Sequence, residues 1–191
     1  MNLNLTHALL ADLNAHVAFD EVEEKHRLDT ILFIEQHANN WWQRNTRDGH
    51  ATASAWVLNA GRTHALLLHH AKLNRWLQPG GHLNDTDESP AHGALREAVE
   101  ESGISTLSFV KTALFDVDVH AIPERTTEHI TEPKHSHYDV RFLLMANDTS
   151  VIISEESLGA QWMSLSEIVA SYLDDSITRL AKKSFLLDNH A

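Results

Sequence analysis

The stretch from Gly80 to Ile104, GGHLNDTDESPAHGALREAVEESGI, constrains this chain more than any other, because it marks both ends of a helix and sets the charge on one of its sides. Ser89 suits the N-cap, and Pro90 suits the first helical position, where its missing N–H is not needed. Gly103 suits the left-handed position that ends a helix. The spacing predicts a helix over 90–102. At about 100° per residue, Ala91, Leu95, Ala98, Val99 and Ser102 fall on one side, and Glu97, Glu100 and Glu101 fall on the other. Gly93 lies within the acidic side, although glycine in a helix interior costs about 1 kcal/mol relative to alanine. Its missing side chain is read as room for a ligand.

Carboxylates three and four residues apart repel one another, more strongly where solvent is excluded, and a divalent ion reverses that sign. Oxygen-only donors suit a hard cation, so Mg²⁺ or Mn²⁺ is expected in preference to zinc.

These residues resemble the Nudix box, the pattern G-x5-E-x7-R-E-U-x-E-E-x-G-U with U aliphatic. Glu88, Arg96, Glu97, Glu100, Glu101, Gly103 and Ile104 stand at its defined positions, with the small Ala98 at the first U. One extra residue separates Gly81 from Glu88, which alters the turn and leaves the helix untouched. The lead-in from Gly49 to His82 is similar to a bacterial Nudix subgroup of largely unassigned substrate. HSHYDVRFLLM and SEESLGAQWMSLSEI are similar to the later Nudix strands and closing helix. The resemblance covers roughly residues 49 to 170 and implies a Nudix-type α/β/α sandwich with a mixed sheet.

The resemblance also implies an activity: metal-dependent hydrolysis of a diphosphate bond in a nucleoside diphosphate linked to another moiety. Glu97, Glu100, Glu101 and the Gly80 carbonyl would hold the metal. Glu97 and Glu101 are candidates for the catalytic carboxylate. Glu88 and Arg96 are expected to pair and steady the loop and helix. In MutT-like members a glutamate before the closing segment can also bind metal. Counting back from Trp162 gives Glu156, with Glu155 beside it. The proline and tyrosine signatures of ADP-ribose and dinucleoside-polyphosphate enzymes are not met, so the second moiety stays open. The alternative is a non-catalytic Nudix module that binds or senses a ligand; the intact carboxylates argue for catalysis.

The rest of the composition agrees. With 191 residues and 42% hydrophobic content the chain can bury a core, and no cysteine is present to form a disulfide, a thiolate metal site or a thiol nucleophile. That favours a reducing, cytoplasmic setting. A formal charge of −12 opposes binding to nucleic acid duplexes, although 15 histidines offset part of it on acidification. The N-terminus has neither a basic leader nor a long apolar run, so no membrane association is expected.

Thr6 is read as capping a first helix bearing Leu9, Leu10, Leu13 and Val17. Asp20 with Glu23 forms a capping-box-like start for a second helix bearing Val22, Ile31, Leu32 and Ile34. Residues 5–40 are thus read as a helical hairpin within an N-terminal extension, 1–48, that packs on the Nudix domain at 49–191 or pairs subunits in a homodimer. Strands are expected at 51–58, 64–70, 76–83, 107–119 and 138–145, with helices near 165–174 and 176–187 and a loop over 120–134.

The alternation His135, His137, Asp139, Arg141 against Tyr138, Val140, Phe142 puts a polar row on one face of a strand. Such a row can bind zinc or nickel, yet no third ligand stands at diagnostic spacing. His137 and Asp139 are therefore read as substrate contacts in a cleft. His82, after the glycine pair, joins them, and Trp76 is the stacking candidate.

Overall fold

The computed structural model describes residues 3–71, 73–126, 131–152, 157–171 and 173–187. Two helices come first, α1 (Leu3–Ala15) and α2 (Glu21–Gln36). Strands β1 (Gly49–Asn59), β2 (His64–His70), β3 (Arg75–Leu77) and β4 (Gly80–His82) lead to α3 (Pro90–Ser102). After it run β5 (Leu107–Ile122), β6 (Arg125–Thr126), β7 (Thr131–Glu132), β8 (His135–Ala146) and β9 (Ser157–Ser164), then α4 (Leu165–Ser171) and α5 (Asp175–Ser184). A seven-stranded sheet has the order β3-β2-β1-β8-β5, with β4 on β1 and β9 on β2, while β6 and β7 pair separately. The expected α/β fold is found: a mixed sheet with helices, preceded by a helical hairpin. Among the described residues no helix is long and apolar enough to cross a membrane.

The chain divides into two compact units that do not follow chain order. One comprises residues 1–53, 81–93 and 113–141, the other 54–80, 94–112 and 142–191. In the first unit, Leu9, Leu13, Phe33, Ile34, Trp41 and Val117 are buried, and the Phe33 ring stacks on Tyr138 at 4.0 Å. Thr6 does not cap α1. It lies within the helix, accepting from Trp41 Nε1 at 2.9 Å and donating to the Ala38 carbonyl at 3.1 Å, which fastens α1 to the segment after α2.

α2 starts as its sequence predicts, with Asp20 accepting from the Glu23 N–H at 2.8 Å. Its buried side differs from the expected one. Ile34 is buried as expected, but Val22 and Leu32 are 54% exposed, and Glu23, Thr30 and Phe33 are buried with Ile34. The reason is Glu23, whose carboxylate accepts from Phe19 N–H and His16 Nε2–H, both at 2.7 Å, and from Val117 N–H at 3.3 Å. A fully hydrogen-bonded carboxylate can be buried where an unpaired one would be prohibitive. Val117 belongs to β5, the strand that ends the sheet order.

In the second unit the antiparallel β2–β9 ladder pairs His64 with Ser164 and continues to His70 with Ser157. Trp56 is fully buried and donates from Nε1 to Ser184 Oγ at 2.8 Å, tying β1 to α5. Leu66, Leu67, Leu143, Leu144, Ile168, Ile177 and Leu180 complete this core, each burial contributing about 1.5–3 kcal/mol. Asp174 caps α5 by accepting from Ser176 and Ile177 and pairs with Arg75.

Candidate active site

Both ends of α3 are where local chemistry puts them. Ser89 Oγ accepts from the His92 N–H at 3.2 Å, and Gly103 closes the helix at φ 68° with its N–H on the Val99 carbonyl. The buried residues along α3 are Pro90, Gly93, Ala94, Ala98 and Ser102, a stripe slightly rotated from the expected one, with Leu95 and Val99 half-buried. Small residues along this stripe allow a close approach of backbone to neighbouring structure.

Gly93 holds no ligand room. A Cβ there would stand 2.5 Å from Leu83 Cδ2 and 3.0 Å from Asp87 Oδ2, so the vacancy is already filled by the turn that precedes the helix. Asp87 also accepts from the Asn84 N–H at 2.8 Å, which fixes that turn. Gly93→Ala is therefore expected to destabilise the fold by about 1–3 kcal/mol in urea titrations, the opposite sign from its helix propensity. Unchanged or increased stability would show that Leu83 and Asp87 can yield.

In the second unit, Glu101 Oε2 accepts from the Gly80 N–H at 2.9 Å, so one candidate ligand is held by the backbone of another. The approach is close because Gly80 has no Cβ, which would overlap Ser54. Arg96 Nη1 donates to Glu97 at 2.8 Å and to Glu100 at 3.1 Å. In the first unit, Glu88, on an exposed turn, faces His92 Nδ1 at 3.1 Å. The Glu100 side chain is 57% exposed against 17% for Glu97, so Glu97 is the carboxylate in the more sheltered setting. Trp76 stacks on His69 at 5.0 Å with the rings 16° apart. Glu155 and Glu156 lie outside the described residues.

The first unit contains a different arrangement. β1, β8 and β5 are neighbours in the sheet, and their alternate residues build a buried polar layer. Asp139 does not face an accessible cleft. It is 2% exposed, accepts from Thr52 Oγ1 at 2.9 Å and pairs with Arg141 Nε at 2.7 Å. The Arg141 guanidinium also reaches Asp116 at 3.3 Å and Asp118 at 3.2 Å. Burial alone would raise the Asp118 carboxyl, but Arg141 and hydrogen bonds from His120 and His26 hold it far below its ordinary value. Burial likewise opposes the charge on Arg141, and Asp118, Asp139 and Asp116 outweigh it and raise its pKa.

Beside these carboxylates lie five imidazoles. His50 of β1 is 4.9 Å from the His82 ring, 5.1 Å from His135 and 4.7 Å from His137, and His120 is 5.4 Å from His137. His50 is fully buried, and burial with the proximity of His82 and His135 lowers its pKa to about 3. Burial, then His50 and His120, lowers His137 to about 2. Both rings are neutral at pH 7. His50 and the carboxylates Asp116 and Asp118 were missed in the sequence because strand alternation identifies a face, not the neighbours that cover it.

Comparison with known proteins agrees with this architecture. A probable DHNTP pyrophosphohydrolase of Lactococcus lactis is 33% identical over 104 residues, 54% of this chain, and the chain spans 58% of that relative's length. A Nudix-family hydrolase from Clostridium perfringens superposes with a TM-score of 0.53 at 20% identity, covering 73% of this chain and 98% of the other. The C. elegans Ap4A hydrolase binary complex gives 0.51 at 20% identity, covering 71% and 96%. The NUDIX domain family model matches residues 48–183, which takes in α3 and every strand of the large sheet. The chain belongs to the Nudix family.

Proposed function

We propose that this protein is a metal-dependent pyrophosphohydrolase that cleaves a diphosphate bond in a nucleoside diphosphate linked to a second moiety, using the carboxylates of α3. The observation that supports this most is the placing of Glu97, Glu100 and Glu101 on one helix side, with Glu101 anchored by the Gly80 N–H. The donor chemistry fits a hard cation: three carboxylates and, next to the Gly80 N–H, the Gly80 carbonyl. Among the described residues these oxygens are not gathered within 4.8 Å of one another as a metal would require, and Arg96 instead neutralises Glu97 and Glu100. The carboxylates would have to converge on the ion.

Mg²⁺ or Mn²⁺ held there would neutralise charge on the phosphate oxygens and favour ionisation of an attacking water. The chain's own part is to bind and orient. Glu101, held by the Gly80 N–H, would offer its carboxylate to the metal. Glu97, the more sheltered carboxylate, is the candidate to orient or deprotonate water. Trp76 offers a flat face for a base. The Lactococcus relative, named as a pyrophosphohydrolase, supports the reaction class and leaves the second moiety open.

The test is a panel of nucleoside diphosphate derivatives with Mg²⁺ or Mn²⁺, scored by nucleotide and phosphate release. Turnover of at least one supports the hydrolase. Tight binding without turnover across the panel would move the protein to the ligand-sensing alternative.

On this reading Arg96 acts through its contacts with Glu97 and Glu100. Arg96→Ala is expected to change stability by less than about 1 kcal/mol, since partly exposed ion pairs contribute little, while shifting the metal concentration needed for half-maximal activity. A large fall in Tm with an unchanged metal requirement would restore the structural role.

A further inference from the structure

We propose that His50, His135 and His137 form a binding site for a divalent transition-metal ion of the zinc class, with a ligand chemistry separate from the carboxylates of α3. One ring nitrogen from each lies within 4.8 Å of the others, and this is the set of three among the described residues that does so. His135 Nε2 and His137 Nε2 are 3.3 Å apart. Two nitrogens each about 2.05 Å from a tetrahedral ion stand roughly 3.3 Å apart, so these two need little movement to share one.

The strands explain how the set is assembled. His135 and His137 are two residues apart on β8 and point to the same face. His50 stands on β1, which neighbours β8 in the sheet. His82 on β4, which pairs with β1, and His120 on β5, which neighbours β8, flank the trio.

Two further observations point to a ligand. His135 Nδ1–H donates to the Pro133 carbonyl at 2.8 Å, which fixes the tautomer and leaves the Nε2 lone pair facing His137. That backbone hydrogen bond is the support commonly found behind a metal-bound imidazole. His50 is fully buried, and among the described residues neither of its ring nitrogens has a hydrogen-bond partner. An imidazole left this way is unfavourable in a protein interior unless something else takes up its lone pair. A cation among the three rings does so.

Imidazole donors favour zinc, cobalt, nickel or copper over magnesium. Three protein ligands leave a fourth position for water or an anion, the ligand count of a reactive zinc site as opposed to a closed structural one.

The test uses full-length protein without a histidine tag, stripped with chelator and held in excess Mg²⁺ so that oxygen-only sites are filled. Titration with Co²⁺ is expected to give one equivalent bound with the intense visible absorption of four-coordinate cobalt, displaced by Zn²⁺. His137→Asn and His50→Ala should each weaken Co²⁺ binding at least about 100-fold, while Glu100→Gln leaves the spectrum unchanged. His137 is the more accessible of the two, so His137→Asn carries the test if His50→Ala fails to fold. Absence of the absorption in the wild type, or equal affinity in folded His137→Asn, would reduce the cluster to a hydrogen-bonded imidazole pair and overturn the proposal.

Discussion

Glu101→Gln is expected to lower turnover at least about 10²-fold while leaving the melting temperature close to that of the wild type, and Glu100→Gln to follow it in direction. Glutamine keeps the size of the side chain and one oxygen that can still accept the Gly80 N–H, so the link at 2.9 Å survives. What is lost is the charge that the proposed metal site would use. The comparison is kcat at limiting and at saturating Mg²⁺, with Tm measured on the same samples. Partial recovery at saturating metal would locate the defect in binding of the ion. Wild-type turnover in both variants at limiting metal would remove α3 from the chemistry.

The second large effect is on stability. Arg141→Met should destabilise the fold by about 3–5 kcal/mol, because it leaves Asp116, Asp118 and Asp139 buried without the guanidinium that all three contact. For a chain of this size that is a fall in Tm of roughly 6–20 °C. The pH dependence gives a second readout. In the wild type the Asp118 pKa is depressed, so its stabilisation is complete above the ordinary value of 3.8 and is lost as pH falls below it. Without Arg141, burial would raise the Asp118 carboxyl, and the deficit should shrink on acidification from pH 7. A loss under about 1 kcal/mol, constant with pH, would mean that water already reaches this layer.

What could be read in advance follows from the range of the interactions. α3 was legible to the residue, because Ser89, Pro90 and Gly103 act on their immediate neighbours. β2 was as clear, its apolar run being bounded by turn residues. α2 misled at its buried face because Glu23 displaces Val22, which the Phe19, His16 and Val117 contacts make possible. The stretch expected as a loop over 120–134 carries the end of β5 and the short β6–β7 pair. β9 was indicated by resemblance and not by the strand pattern. The imidazole cluster was half visible: spacing on β8 gave His135 and His137, and only strand pairing brings His50 to them.

The hydrogen bond from Val117 N–H to Glu23 bears on the border of the sheet. β5 ends the sheet order, and an edge strand with open backbone groups is a template for pairing with another chain. A helix from the hairpin supplies a buried carboxylate that occupies one of those groups, so residues ahead of the family match act as an edge guard. A version trimmed to residues 48–183 would keep α3 intact and expose this border of the sheet. Its first symptom would be self-association that grows with concentration, ahead of any loss in the chemistry of the remaining domain.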